Sequence, residues 1–340
     1  MKTGLTYDDV LLTPGYSEIP SRKSVSLETH FGIRSYDLPI ISSPMSTVTE
    51  GDMCKIMDSF GGMGIVHRYN SIQEQVEICK DIPDSCGAAI GICGDYLDRA
   101  KKLCQNADVK IICIDVAHAH HSKTKKAIES LKKELPEDVL LIVGNVATKK
   151  GFEDLVNWGA DGVKVGIGPS GVCETRSETG HGYPQLSTIF ECNSASNRNE
   201  AILIADGGIK TTGDMVKALA AGADFVMLGS LLAASQEAPG EVFYDEELGE
   251  VKKYSGMASE EAQNDFRGHT NSLEGVSSQI PYKGSLLPIL DRYVHSLRTG
   301  LSYSGAKNLE ELRVKAKFVQ QTSAGQFESS THIKKIGRIR

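Results

Sequence analysis

DGVKVGIGPSGVCETRSETGHGYPQ, residues 161–185, is the stretch on which the reading of this chain turns. It starts as a short apolar strand, Gly162 to Val165, and passes directly into Gly166, Gly168, Pro169, Ser170 and Gly171. The backbone becomes permissive where the strand ends, so main-chain N–H and C=O groups can approach a ligand or ion closely. Cys173 lies inside this loop, with Thr175 and Arg176 beside it to supply a hydroxyl and a positive charge. On these residues alone Cys173 reads either as a small packed side chain or as a nucleophile on a loop, and the surrounding chain has to decide.

Runs rich in β-branched residues recur at 38–42, 62–66, 88–92, 110–115, 139–144, 162–165, 201–205 and 225–228. They alternate with segments of helical spacing at 51–60, 72–80, 96–104, 122–135, 150–158 and 212–221. Strands that read as nearly unbroken apolar runs are covered on both faces, as in a parallel sheet. About eight β/α units fit a closed (β/α)8 TIM barrel. A doubly wound open sheet is the alternative fold, and the lack of a G-x-G-x-x-G turn after the first strand counts against it. At 340 residues and 40% hydrophobic composition the chain can bury a large core. The expectation is therefore one barrel domain over residues 1–340. It carries a polar, glycine-rich excursion at about 252–284, a helix at 286–299 that would close the barrel, a helix at 308–317, and a polar tail at about 323–340 that ends basic.

In a barrel the chemistry sits where strands end. Ser43, Pro44 and Met45 follow the first strand, His67 and Arg68 the second, Asp115 and His118 the fourth, Asn145 the fifth, and the Cys173 loop the sixth. Asp206, Gly207 and Gly208 follow the seventh, and Gly229 and Ser230 the eighth. Barrels commonly seat a phosphate on the loops after strands seven and eight, so these turns together point to a phosphorylated ligand, although each alone is no more than a tight turn. His118, His120 and His121 cluster without a carboxylate or thiol at ligand spacing, which favours solvated loop histidines over a transition-metal site. The excursion reads as a water-excluding lid or as a surface hairpin. Glu274 is its candidate proton donor.

A formal charge of −7 argues against a nucleic-acid or anionic-membrane surface. The eight cysteines are scattered, without C-x-x-C pairs, which reads as a reducing compartment. MKTGLTYDDVLLTPGYSEIP has no apolar signal core and no later run reaches membrane-spanning length, so a soluble, cytoplasmic protein is expected.

LTYDDVLLTPGYSEI, SSPMSTVTE, GGMGIVHR, DVAHAH, GNVAT, VKVGIGPSGVCETR, TGHGYPQ, ADGGI, GADFVMLGS, YSGM and LEGVSSQIPYKG follow one another along nearly the whole chain. Together they resemble the IMP dehydrogenase and GMP reductase barrels. The resemblance implies that Cys173 attacks C2 of a purine nucleotide to give a covalent thioimidate. As a GMP reductase, the protein would expel ammonia with help from Thr175 and Glu274, and NADPH would then deliver hydride to give IMP. As an IMP dehydrogenase, the alternative, it would pass hydride to NAD and hydrolyse the adduct with an Arg-Tyr pair on the flap.

The resemblance also implies substrate contacts from Ser43, Met45, Ser170, Asp206, Gly207, Gly208, Gly229, Ser230, Tyr254, Gly256, Met257, Ala258 and Gly275. Cofactor contacts would come from Asp115, Ala117, Asn145, Gly166 and Gly168. A potassium ion would be held by carbonyls of Gly166, Gly168 and Cys173, with Glu328 arriving from an adjacent chain of a homotetramer.

Three features point to the reductase: no regulatory module separates the second and third strands, ASEEAQNDFRG after Met257 has no Arg-Tyr pair behind it, and GYPQLSTIFEC matches that enzyme's pattern. Other features depart from it. Ser170-Gly171 stands where the family has Gly-Ser, and Glu174 where it has Thr. Asn271 and Leu273 replace an Arg and a Ser near the guanine. AKFVQQTSAGQFESSTH resembles the dehydrogenase more, and in that reading Arg267 would stand in for its flap arginine. A reading from another class is a purine-nucleotide-binding protein without turnover.

Overall fold

The computed structural model describes residues 2–270 and 274–329, with the Arg267 side chain left aside. Eight strands form a closed parallel barrel: β1 Ile40–Ser42, β2 Met63–Val66, β3 Gly87–Ile90, β4 Ile111–Asp115, β5 Leu140–Val146, β6 Gly162–Val165, β7 Ile202–Asp206 and β8 Phe225–Leu228. Each strand pairs with the next, and β8 pairs with β1, Val226 lying opposite Ile40. The open doubly wound sheet is thereby excluded. Around the barrel run α1 Gly51–Ser59, α2 Ile72–Cys79, α3 Tyr96–Ala107, α4 Ser122–Glu134, α5 Lys149–Asn157, α6 Gln185–Asn193, α7 Thr212–Ala220 and α8 Leu287–Tyr303.

The apolar strands are buried on both faces, as their unbroken runs require. One cluster fills the barrel interior with Ile41, Met63, Ile65, Ala89, Ile111, Cys113, Ile142, Ile204, Phe225 and Met227. A second packs the outer faces of the strands against the helices. A hairpin, Thr29–Phe31 with Arg34–Tyr36, plugs the amino-terminal end of the barrel, and the Tyr36 ring meets Phe225 edge-on at 5.3 Å. With that end stoppered by aromatic rings, the opposite end becomes the polar mouth. Helix starts follow local chemistry: Ser71 with Glu74 and Thr211 with Asp214 each form a reciprocal capping box, satisfying amide groups that the first turn leaves orphaned.

Three expectations need correction. The segment expected to close the barrel is α8, which is longer than 286–299 and packs against α7 on the outside, whereas closure is made by the β8–β1 ladder. That is the physical requirement, because only another strand can satisfy the edge of a sheet. The excursion begins before residue 252. Phe243–Asp245, Gly249–Ser255 and Ser277–Pro281 form a three-stranded antiparallel sheet, and the helix Glu260–Arg267 follows the middle strand. Of the loop histidines only His120 departs from the solvated reading, its Nε2 lying 2.8 Å from Asp154 Oδ2, while His118 and His121 are exposed and His121 Nδ1 accepts from the Lys123 N–H at 3.0 Å as the cap of α4. Partial burial and then the neighbouring histidines push the His118 pKa down.

Among the described residues no helix is long and apolar enough to cross a membrane. Asn271, Leu273 and residues 330–340 lie outside the described residues, so the expectations placed on them have no structural counterpart.

Helix α1 lies close against β2 because Gly64 has no side chain: a Cβ there would come within 2.6 Å of Cys54 Sγ and 2.9 Å of its Cα. Gly64→Ala should lower the unfolding free energy by about 1–3 kcal/mol, read as a lower denaturation midpoint at unchanged slope.

Candidate active site

The carboxyl ends of the strands carry two adjoining cavities. The first, about 320 Å³, is walled by Ser43 and Met45 after β1, Asp206, Gly207 and Gly208 after β7, and Gly229 and Ser230 after β8. Ser170 and Tyr254 complete that wall. The two glycine turns expected to seat a phosphate do converge here. Gly207 and Gly208 have φ of 95° and 77°, a backbone region that side chains with a Cβ rarely adopt. Arg176 and Lys210 also line this cavity, and Lys210 Nζ lies 2.5 Å from Asp8 Oδ2. Burial pushes the Tyr254 phenol up to about 12, a hydrogen bond from the Ser170 side offsetting part of that rise. The hydroxyl therefore faces the cavity as a protonated donor throughout the physiological range.

The second cavity, about 330 Å³, shares Pro169, Ser170, Asp206 and Gly207 with the first. Cys173, Thr175 and Glu274 line it, together with Met257, Ala258, Asp115, Ala117, Asn145, Gly166 and Gly168. Cys173 Sγ lies 3.1 Å from Thr175 Oγ1, and the Thr175 hydroxyl donates to Glu274 Oε2 at 2.9 Å. A threonine has a single hydroxyl proton. With that proton given to Glu274, the Thr175 oxygen is left to accept from sulfur, so the chain runs from thiol to hydroxyl to carboxylate.

Main-chain contacts hold these three side chains together. Glu174 N–H donates to the Glu274 carbonyl at 2.8 Å, Val276 N–H to the Val172 carbonyl at 3.1 Å, and Cys173 forms an antiparallel bridge with Gly275. Gly256 and Gly275, expected among the substrate contacts, line neither cavity. They sit at this seam: an added Cβ would come 2.9 Å from the Val172 carbonyl oxygen at Gly256 and 3.1 Å from Ser259 N at Gly275. Tyr69 fastens the other side of the excursion, its hydroxyl donating to the Met257 carbonyl at 2.7 Å and its ring stacking on Phe266 at 4.7 Å.

Arg176 does not serve the thiol. Its Nη2 donates to the Tyr183 carbonyl at 2.8 Å and its stem packs over Gly168 and Gly182. Of the groups expected to hold potassium, Gly166, Gly168 and Cys173 line the second cavity. The Gly166 carbonyl accepts from Asn145 Nδ2 at 2.8 Å, and Glu328 lies exposed in the helix Ser323–Glu328, which packs on the amino-terminal turn Tyr7–Asp9. Among the described residues no group of three or more His, Cys, Asp or Glu side chains could hold a metal ion.

The sequence reading missed two residues at the floor of the site. Lys164, 1% exposed, sends Nζ to Asp115 Oδ1 at 2.5 Å, Asn145 Oδ1 at 2.9 Å and Asp206 Oδ2 at 3.2 Å. Burial alone would pull its pKa down. The Asp115 and Asp206 carboxylates outweigh burial and hold it well above the usual lysine range. Gln185, at the start of α6, donates Nε2 to the carbonyls of Val165 and Asp206 at 2.8 and 3.2 Å, clipping the ends of β6 and β7 together. The signal for Lys164 was present: a lone charge inside a strand buried on both faces requires partners.

A sequence model of the IMP dehydrogenase / GMP reductase domain matches residues 4–332. An inosine-5'-monophosphate dehydrogenase of Cryptosporidium parvum is 36% identical over 97% of this chain and 95% of its own length. GMP reductase 2 of Mus musculus is 34% identical over 94% of both chains. A crystal structure of a GMP reductase variant from Trypanosoma brucei, in complex with guanosine 5'-monophosphate, superimposes with a TM-score of 0.93 at 28% identity, covering 98% of each chain. The chain belongs to the IMP dehydrogenase / GMP reductase family of oxidoreductases.

Tyr254 provides a pH test of this geometry. Its phenol has an ordinary value of 10.0 and a folded value near 12, so the stability from keeping it protonated is fully present below pH 10 and is lost as pH rises through 12. The margin of the wild type over Tyr254→Phe should shrink by up to about 2–3 kcal/mol across that window, measured by denaturant melts at each pH.

Proposed function

We propose that the protein is an NADPH-dependent GMP reductase, converting GMP to IMP and ammonia through a thioimidate on Cys173. The observation that carries this reading is the chain from Cys173 Sγ through Thr175 Oγ1 to Glu274 Oε2, at 3.1 and 2.9 Å. Loss of the thiol proton along it makes the thiolate that attacks C2 of the guanine. The same proton, returned from Glu274 through Thr175, is the one the 2-amino group needs to leave as ammonia. Sulfur–carbon bond formation and carbon–nitrogen cleavage therefore balance without a proton from solvent. A reduced nicotinamide supplies the hydride that replaces sulfur at C2. The second cavity suits it: the Asp115 carboxylate and Asn145 amide match ribose hydroxyls, and Ala117 leaves room beside them.

In this reading the phosphate rests on Gly208, Gly229 and Ser230 with the Tyr254 hydroxyl, Asp206 receives the ribose, and Met257 and Ala258 face the base. The seam between the Cys173 loop and the flap keeps water from the thioimidate, which hydrolysis would turn into the dehydrogenase product. We read the chain as one barrel domain without an inserted regulatory module, since the connection from β2 to β3 holds α2 and short turns. A cytoplasmic homotetramer completes the picture. No step is assigned to potassium.

IMP dehydrogenase is the second reading, favoured by the 36% identity to the Cryptosporidium parvum enzyme. Parallel assays separate the two. GMP with NADPH should release ammonia and consume the cofactor, and IMP with NAD should yield no XMP; the reverse pattern would replace the first reading with the second. Turnover of neither pair, with nucleotide binding that survives Cys173→Ala, would mark a binding protein.

Glu274→Gln should slow ammonia release by about 10²–10⁴-fold while GMP binding changes little, measured by single-turnover kinetics. Equal losses in rate and binding would mean that Glu274 only positions substrate.

A further inference from the structure

Lys164 lines neither cavity, yet each of its three partners does. Asp115 and Asn145 wall the second cavity, and Asp206 walls both. The four residues come from four strands: Asp115 from β4, Asn145 from β5, Lys164 from β6 and Asp206 from β7. An ammonium has three protons, and all three are committed here. Asn145 closes the arrangement, donating Nδ2 to Asp206 Oδ2 at 2.9 Å and to the Gly166 carbonyl at 2.8 Å.

We infer that Lys164 is a positioning residue shared by the two cavities, so that a change of charge at Asp115, which walls the second alone, alters ligand affinity at Asp206 in the first. The inference rests on the reading in which the nucleotide's phosphate and ribose lie in the first cavity while its base and the nicotinamide meet in the second. It follows from the sharing of one ammonium between two carboxylates at unequal distance, 2.5 Å to Asp115 and 3.2 Å to Asp206. With a 1% exposed side chain the ammonium has no water to fall back on, so whatever one carboxylate loses the other gains. The charged and titratable groups facing it are Asp115, Asp206 and the Cys113 thiol. When the Asp115 charge is removed, the ammonium is drawn onto Asp206 and competes with ribose hydroxyls for that carboxylate.

The test uses Asp115→Asn, which keeps the side-chain shape, in the full-length protein with IMP as the probe. IMP without cofactor is unreactive whether the protein is the reductase or the dehydrogenase, and both must bind it. Titration calorimetry should show IMP bound about three- to tenfold more weakly by Asp115→Asn than by wild type, and ribose 5-phosphate, which reaches only the first cavity that Asp115 does not line, weakened by the same factor. Lys164→Met, of similar length and uncharged, should weaken IMP and NADP together. Unchanged IMP affinity in Asp115→Asn, with weakened NADP, would overturn the inference and leave the function reading intact. That result decides the matter even if Lys164→Met fails to fold. No IMP binding by the wild type would sink the purine-nucleotide reading and the inference with it.

Discussion

The site exists because two backbone segments far apart in sequence lie edge to edge. The loop after β6 and the strand edge at Gly275 share a bridge at Cys173, and the Glu174 and Val276 amides donate across it. Without this seam Thr175 and Glu274, 99 positions apart, would have no reason to meet. Each such hydrogen bond contributes only about 0.5–1.5 kcal/mol net. A seam of this size therefore holds the excursion against the Cys173 loop without making its release prohibitive, which suits an enzyme that must admit substrate and shed product. The tight spacing at Gly256 and Gly275 follows: a side chain at either would pry the segments apart.

Beneath the seam the barrel solves an electrostatic problem. Its mouth holds the carboxylates of Asp115 and Asp206, and β6 places Lys164 between them. Burial of an ammonium is costly, and here the cost is offset by three partners that fill its donor capacity. The result is a rigid polar floor under two cavities, fixed by strands rather than loops. Above it the glycine turns after β7 and β8 and the Cys173 loop supply what must approach a ligand closely. Rigidity below and permissive backbone above divide the work.

Much of this was legible before the structure. The alternation of β-branched runs with helical spacing identified the barrel, because two-sided burial keeps most strand positions apolar. The glycine turns and the polar strand ends identified the mouth. Lys164 was passed over because a single lysine within GVKV looks like noise in a hydrophobicity pattern, and its partners lie on β4, β5 and β7. α6 went unseen because its first residue, Gln185, follows Pro184 directly out of the glycine-rich loop that the reading treated as one unit. The role of Arg176 was misjudged because adjacency in sequence to Cys173 does not fix the direction of a long side chain, which here reaches Tyr183 instead.

Covalent chemistry at Cys173, prepared by Thr175 and Glu274, is the centre of the account, and it can be observed without the cofactor. The protein would be mixed with GMP alone, quenched in acid, digested and weighed by mass spectrometry. The peptide bearing Cys173 should gain the mass of GMP less ammonia. An unmodified Cys173 peptide, from protein shown to have GMP bound at the moment of quenching, would contradict it.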